Sequence, residues 1–248
     1  MTTGFRNTTL ALFAVATQVA QVAQAAQSAP AASAELRPFS AEYVVTWKGV
    51  TAGRSRLSLR RTPDGRWAYE SHNAARGLFR MGLPGSLTQR STFRIAGGHV
   101  VPDHFHGDDG SEDHKRDSDV SFDWAAGRAT GVAEARRVDL AIPAGTQDAM
   151  SVQAALMNEL LSGRVPERFD MLDKDQVKDY LYERRGSETV QTQVGRIEAE
   201  IYSSRRPGSD RGTWFWCAPS LGYLPVKVER RNGSRLEWSM AIQKVDRP

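Results

Sequence analysis

From Phe39 onward the chain changes character at every second residue. Phe39, Ala41, Tyr43, Val45 and Trp47 alternate with Ser40, Glu42, Thr46 and Lys48. Successive side chains of a pleated strand point to opposite faces, so a period of two marks a strand with one face buried. The rhythm returns in Leu57 and Leu59, in Trp67, Tyr69 and Ser71, in Val120, Phe122 and Trp124, and in Leu236, Trp238, Met240 and Ile242. Gly49, Pro63-Asp64-Gly65, Gly97-Gly98 and Asn232-Gly233 supply the tight turns between such segments. The pattern predicts a mainly β domain with one packed helix: an antiparallel meander forming a curved antiparallel sheet or a partly open β-barrel.

One segment departs from this period. Asp148 can cap a helix whose buried face carries Val152, Ala155, Leu156, Met157 and Leu160, and Gly163 is placed to end it. A single helix is too little for a βαβ architecture, so it is expected to cover one face or end of the sheet. Near the end of the chain, Trp214 and Trp216 point one way and Phe215 and Cys217 the other. A strand apolar on both faces is expected to be central and covered on both sides.

The N-terminus reads as an export signal. Arg6 precedes the apolar run Leu10 to Ala16, and Ala23-Gln24-Ala25 has the small-x-small form of a cleavage site, with Ala32-Ser33-Ala34 as a later alternative. Thr17, Gln18, Gln21 and Gln24 interrupt the run before the roughly 20 apolar residues needed to cross a bilayer. The expected organisation is a signal peptide over 1–25 (alternatively to 34), a flexible Ala-, Ser- and Pro-rich lead-in over 26–38, and a single β-rich domain over 39–248 with no membrane span, located in the periplasm.

Cys217 is the only cysteine, so no intramolecular disulfide can form and a core must hold the fold. Its expected role is that of a small buried hydrophobe. The formal net charge is +4 with acids spread throughout, which argues against a nucleic-acid partner. Arginines recur as the doublets Arg60-Arg61, Arg136-Arg137, Arg184-Arg185, Arg205-Arg206 and Arg230-Arg231. Neighbours on a strand face opposite ways, so the doublets fit solvated strand ends, with a basic rim for anionic lipid or a charged partner as the sharper reading.

Catalytic signatures are missing: there is no G-x-S-x-G elbow, no H-E-x-x-H helix and no phosphate-cradling glycine loop. Asp173 and Asp175 read as a solvated turn. His104 and His106 would share one face of a strand and could chelate a metal with a nearby carboxylate, but their spacing matches no established zinc pattern. A polar hairpin tip describes Asp103 to His114 equally well. No metal and no cofactor is expected.

Four stretches resemble the bacterial envelope family catalogued as domain of unknown function 3108: Phe39 to Gly53, the Asp148-Ala149-Met150-Ser151 helix start, Glu188 to Gly195, and Trp214 to Val228 with its Ala218-Pro219 and Leu224-Pro225-Val226 elements. The resemblance spans nearly all of the mature chain. It implies an exported β-rich domain of Gram-negative bacteria and carries over no catalytic residues. A looser similarity, in layout only, is to the sheet-and-helix cradles of lipoprotein-sorting proteins.

Between Arg76 and Arg90 lies an apolar loop with Leu78, Phe79, Met81, Leu83 and Leu87 among glycines and Pro84. Such a loop either packs into the core or forms a lip over a cavity. Trp47, Trp67, Trp214 and Trp238 would line that cavity wherever they face inward. The reading with most support is a non-catalytic binding or carrier-like module for an apolar or amphipathic envelope molecule, with Leu78, Phe79, Met81, Leu83, Trp214 and Trp216 as ligand-binding candidates. The alternative is an assembly or scaffolding factor that binds another envelope protein. A cell-wall hydrolase stands behind both.

Overall fold

The computed structural model describes residues 35–77, 79 and 85–247. The signal and cleavage sites, together with Leu78, Met81 and Leu83, lie outside the described residues. The strands are β1 (Phe39–Trp47), β2 (Val50–Arg61), β3 (Trp67–Ala75), β4 (Ser86–Ala96), β5 (His99–Asp108), β6 (Ser118–Asp123), β7 (Arg128–Ala133) and β8 (Arg136–Ala141), then β9 (Arg168–Asp173), β10 (Gln176–Thr192), β11 (Gly195–Arg205), β12 (Arg211–Ala218), β13 (Leu224–Asn232) and β14 (Arg235–Asp246). One helix, α1 (Ser151–Leu161), separates the two runs. Within each run consecutive strands pair antiparallel, and β14 returns to pair with β1, giving one sheet of order 8-7-6-5-4-3-2-1-14-13-12-11-10-9. The curved meander expected from the alternation is what forms.

The free edges, β8 and β9, are not zipped into a barrel. Leu172 and Val177 of β9 and β10 instead pack on Val120, Ala133 and Val138 of the β6–β8 wing. Arg136 pairs with Asp175 at 3.2 Å and Lys174 with Glu134 at 2.5 Å across the seam. The segment before the helix bridges what is left, since the Gln147 N–H donates to the Asp170 carbonyl and the Leu172 N–H to that of Gln147, both at 2.8 Å.

As expected, α1 covers one face of the sheet, the concave one: the helix lies inside the curve, and all its residues but Gln153 and Leu161 are buried. Met150, Ala154, Ala155 and Met157 pack with Tyr43, Tyr69, Phe93 and Val100 on one wall. Val152, Leu156 and Leu160 pack with Tyr182, Tyr202 and Cys217 on the other. Asn158 and Glu159, polar residues of the same helix, are buried as well. Gly163 ends the helix as its position implied, taking a positive φ of 73° that costs a glycine little.

β12 is covered on both faces, as its double apolar pattern predicts. Phe215 and Cys217 face the helix. On the outer face the long β10–β11 hairpin turns at Gly186, whose φ of 124° suits glycine, and its far half lies over β13 and β14. There the Trp216 indole N–H donates to Glu188 at 2.5 Å, with the Lys227 ammonium 4.1 Å from the ring.

Candidate functional site

Strand alternation and register assign the inner wall. Tyr43 is inside, pairing with Ser55 and Ile242. Two steps along, Val45 pairs with Met240, and Trp47 pairs with Trp238 at the rim. Across β14 and β13 the same face continues through Val228 and Arg230 to Phe215 and Thr213 of β12. The helix fills the half of this wall nearest the β4–β5 turn, where Asn158 and Arg164 donate to the Gly98 carbonyl. Toward the opposite end, where the β1–β2, β3–β4 and β13–β14 turns gather, Val45, Leu57, Phe105, Tyr180, Phe215, Trp238 and Met240 keep partial exposure. Apolar side chains left half in water on an inward-curving wall are the raw material of a binding site. A shallow polar cleft lies nearby between Val177 to Asp179 and the Arg206 to Ser209 turn.

Asp148, 1% exposed at the start of the helix, lies against β4, and its importance was legible only as a helix cap. Its Oδ1 accepts the N–H groups of Met150 and Ser151 at 2.8 and 2.7 Å, and its Oδ2 accepts the Ser91 hydroxyl at 2.6 Å. Ser151 returns the favour by accepting the Asp148 N–H at 2.8 Å. Burial pushes the Asp148 carboxyl up, against the pull of those donors. A serine beside a carboxylate suggests a nucleophile, but each of the five histidines is hydrogen-bonded elsewhere: His72 to Thr88, His99 to Glu159, His104 and His106 to Asp119, His114 to Asp117. None is placed to take the Ser91 proton.

His104 and His106 do share a strand face. They bracket Asp119 at 3.0 and 3.2 Å, on β5 and β6 rather than at a hairpin tip, which falls further on at Asp109 to Asp117. Asp173 and Asp175 are taken up by Lys178 and Arg136.

Of the candidate ligand residues, Phe79 is half-buried in the β3–β4 connection, its N–H donating to the Arg76 carbonyl. Trp214 and Trp216 stand on the outer face and do not join the inner wall, because the strand turns Phe215 and Cys217 toward the helix instead. Trp67 is packed in the core under Arg61, while Trp47 is 46% exposed and Trp238 half-buried. The tryptophans of the inner rim are therefore Trp47 and Trp238. Cys217 is fully buried, and burial pushes its thiol well above the usual range. A thiol reagent is expected to leave the native protein unmodified and to label one equivalent in denaturant; fast native labelling would mean the helix and β12 part readily.

A family model described as "Protein of unknown function (DUF3108)" matches residues 42–235. No curated protein matches the chain. Among solved structures it is similar to a β-barrel-like protein of domain of unknown function DUF1849 from Brucella abortus, at 13% identity and a TM-score of 0.58, over 86% of this chain and 99% of that one. That likeness is one of fold. Similarity to the Pseudomonas aeruginosa MucA/MucB structure is lower, at 11% identity and a TM-score of 0.37 over 86% of this chain and 53% of that one.

Proposed function

We propose, for a chain that belongs to the DUF3108 family of proteins of unknown function, that the mature domain is an exported, periplasmic, non-catalytic binding module for an amphipathic envelope molecule. The observation that carries this reading is the half-exposed apolar inner wall between the helix and the Trp47–Trp238 rim. The β3–β4 connection, which carries the half-buried Phe79, lies at that same end. The helix occupies the deeper half of the hollow, so the ligand reaches only the outer half, which favours a single chain over a bulky multi-chain lipid.

Native mass spectrometry and solvent extraction of protein purified from a periplasmic fraction test the proposal. A bound amphiphile is the expected result. A co-purifying protein with no small molecule would favour the scaffolding alternative. In the double variant Phe79→Asp, Met81→Asp, capture is expected to be lost with thermal unfolding within a few degrees of wild type. A variant that fails to fold would mean that the loop is core.

A further inference from the structure

The doublet Arg230-Arg231 splits across the sheet. Arg231 lies on the outer face, donating from Nε to Glu229 at 2.7 Å and stacking 5.2 Å from the Trp214 ring. Arg230 lies on the inner face, paired in register with Thr213 on one side and Trp238 on the other. Its Nη1 donates to the Thr213 hydroxyl at 2.7 Å, a partner that brings no charge. Among the described residues no carboxylate lies within ion-pair distance of Arg230, and the acids nearest in sequence and sheet are engaged elsewhere. Glu229 is held by Lys227 and Arg231, and Glu237 by Arg211 at 2.7 Å. Burial pushes the Arg230 guanidinium below the usual arginine range, and the repulsion of Arg211 and Arg206 is opposed by Tyr180 and Glu237.

A half-buried cation with no carboxylate in direct contact is costly, and one that sits above an apolar wall is matched by a ligand anion that arrives with its own hydrocarbon. Trp238 flanks the cation, and Met240 and Phe215 lie deeper on the same face. We propose that Arg230 is the anchor for the anionic head, a carboxylate or phosphate monoester, of a single-chain amphiphile whose tail runs inward over Trp238, Met240 and Phe215. This rests on the binding-module reading above and adds the chemistry of the head and the residue that selects it.

Fluorescence titration with dansyl-undecanoic acid and with its uncharged methyl ester tests it, on wild type, Arg230→Gln and Arg230→Lys. Wild type is expected to bind the acid roughly ten- to hundredfold more tightly than the ester, the span of one charge-assisted pair. Arg230→Gln should remove that preference and leave the ester unchanged, and Arg230→Lys should restore part of it as a point charge without the planar fork. Equal binding of acid and ester by wild type overturns the anchor while leaving the binding module standing. Displacement of the acid by excess acetate overturns the amphiphile in favour of a small-anion site. Binding of neither probe overturns both readings. The acid-to-ester ratio on wild type decides the matter even if Arg230→Gln does not fold.

Discussion

Leu156→Ala lowers the unfolding free energy by about 3 to 5 kcal/mol, measured by urea denaturation followed through far-ultraviolet circular dichroism and tryptophan fluorescence. Leu156 is 1% exposed and sits where the helix meets Tyr182, Tyr202 and Cys217. A surface helix could settle toward its sheet to fill the space left by the truncated side chain. This helix cannot, because Met150, Ala154, Ala155 and Met157 hold its opposite side against Tyr43, Tyr69 and Phe93. The cavity therefore stays open, which puts the cost at the upper end of the range for leucine truncation. Leu161→Ala, at the partly exposed last position of the helix, is the control and should cost about 1 kcal/mol. A loss below about 1 kcal/mol for Leu156→Ala would mean that the two walls close on each other without the helix, and that the hollow is deeper than the outer half assigned to the ligand.

The same helix shows how far the sequence could be read. Its apolar positions were legible, and all five of the residues expected on its buried face are buried. What remained hidden was that its other face is buried too. Ala154 is small enough to lie against a wall, Asn158 donates to the Gly98 carbonyl at 2.8 Å, and Glu159 is paired with Arg164 and hydrogen-bonded to His99. Polar residues satisfied by distant backbone look identical, in sequence, to polar residues facing water. Trp47 failed in the opposite sense: it keeps the strand period but runs out past the core to the rim, where 46% of it is exposed. Period two assigns a face, and depth along the strand decides whether that face has anything to pack against. The outer cover of Trp216 depended on a turn at Gly186 inside a 17-residue strand, which alternation alone cannot announce. The arginine doublets suggest strand-end punctuation. Arg60-Arg61, Arg136-Arg137 and Arg205 do lie at strand ends, whereas Arg184-Arg185 falls within β10 and Arg230 points inside by the very alternation that defines the strand.

Asp148→Ala is expected to cost about 3 kcal/mol, because the substitution strands three buried donors at once: the Met150 and Ser151 N–H groups and the Ser91 hydroxyl. Asp148→Asn keeps an oxygen for the backbone donors and offers its amide to the Ser91 oxygen, so its cost at neutral pH should be about 1 kcal/mol. The two variants separate hydrogen bonding from charge, and pH then fixes the sign of the charge contribution. Burial raises the folded-state value of Asp148 above the ordinary 3.8. A carboxyl raised on folding contributes stability that is fully present below the unfolded value and is lost as pH rises through the folded one. The advantage of wild type over Asp148→Asn should therefore grow as urea denaturation is repeated from neutral pH down to about pH 4. An advantage that shrinks on acidification would show the opposite balance: the backbone donors at the helix start would outweigh burial, and Asp148 would be a charged cap rather than a buried acid that folding partly neutralises.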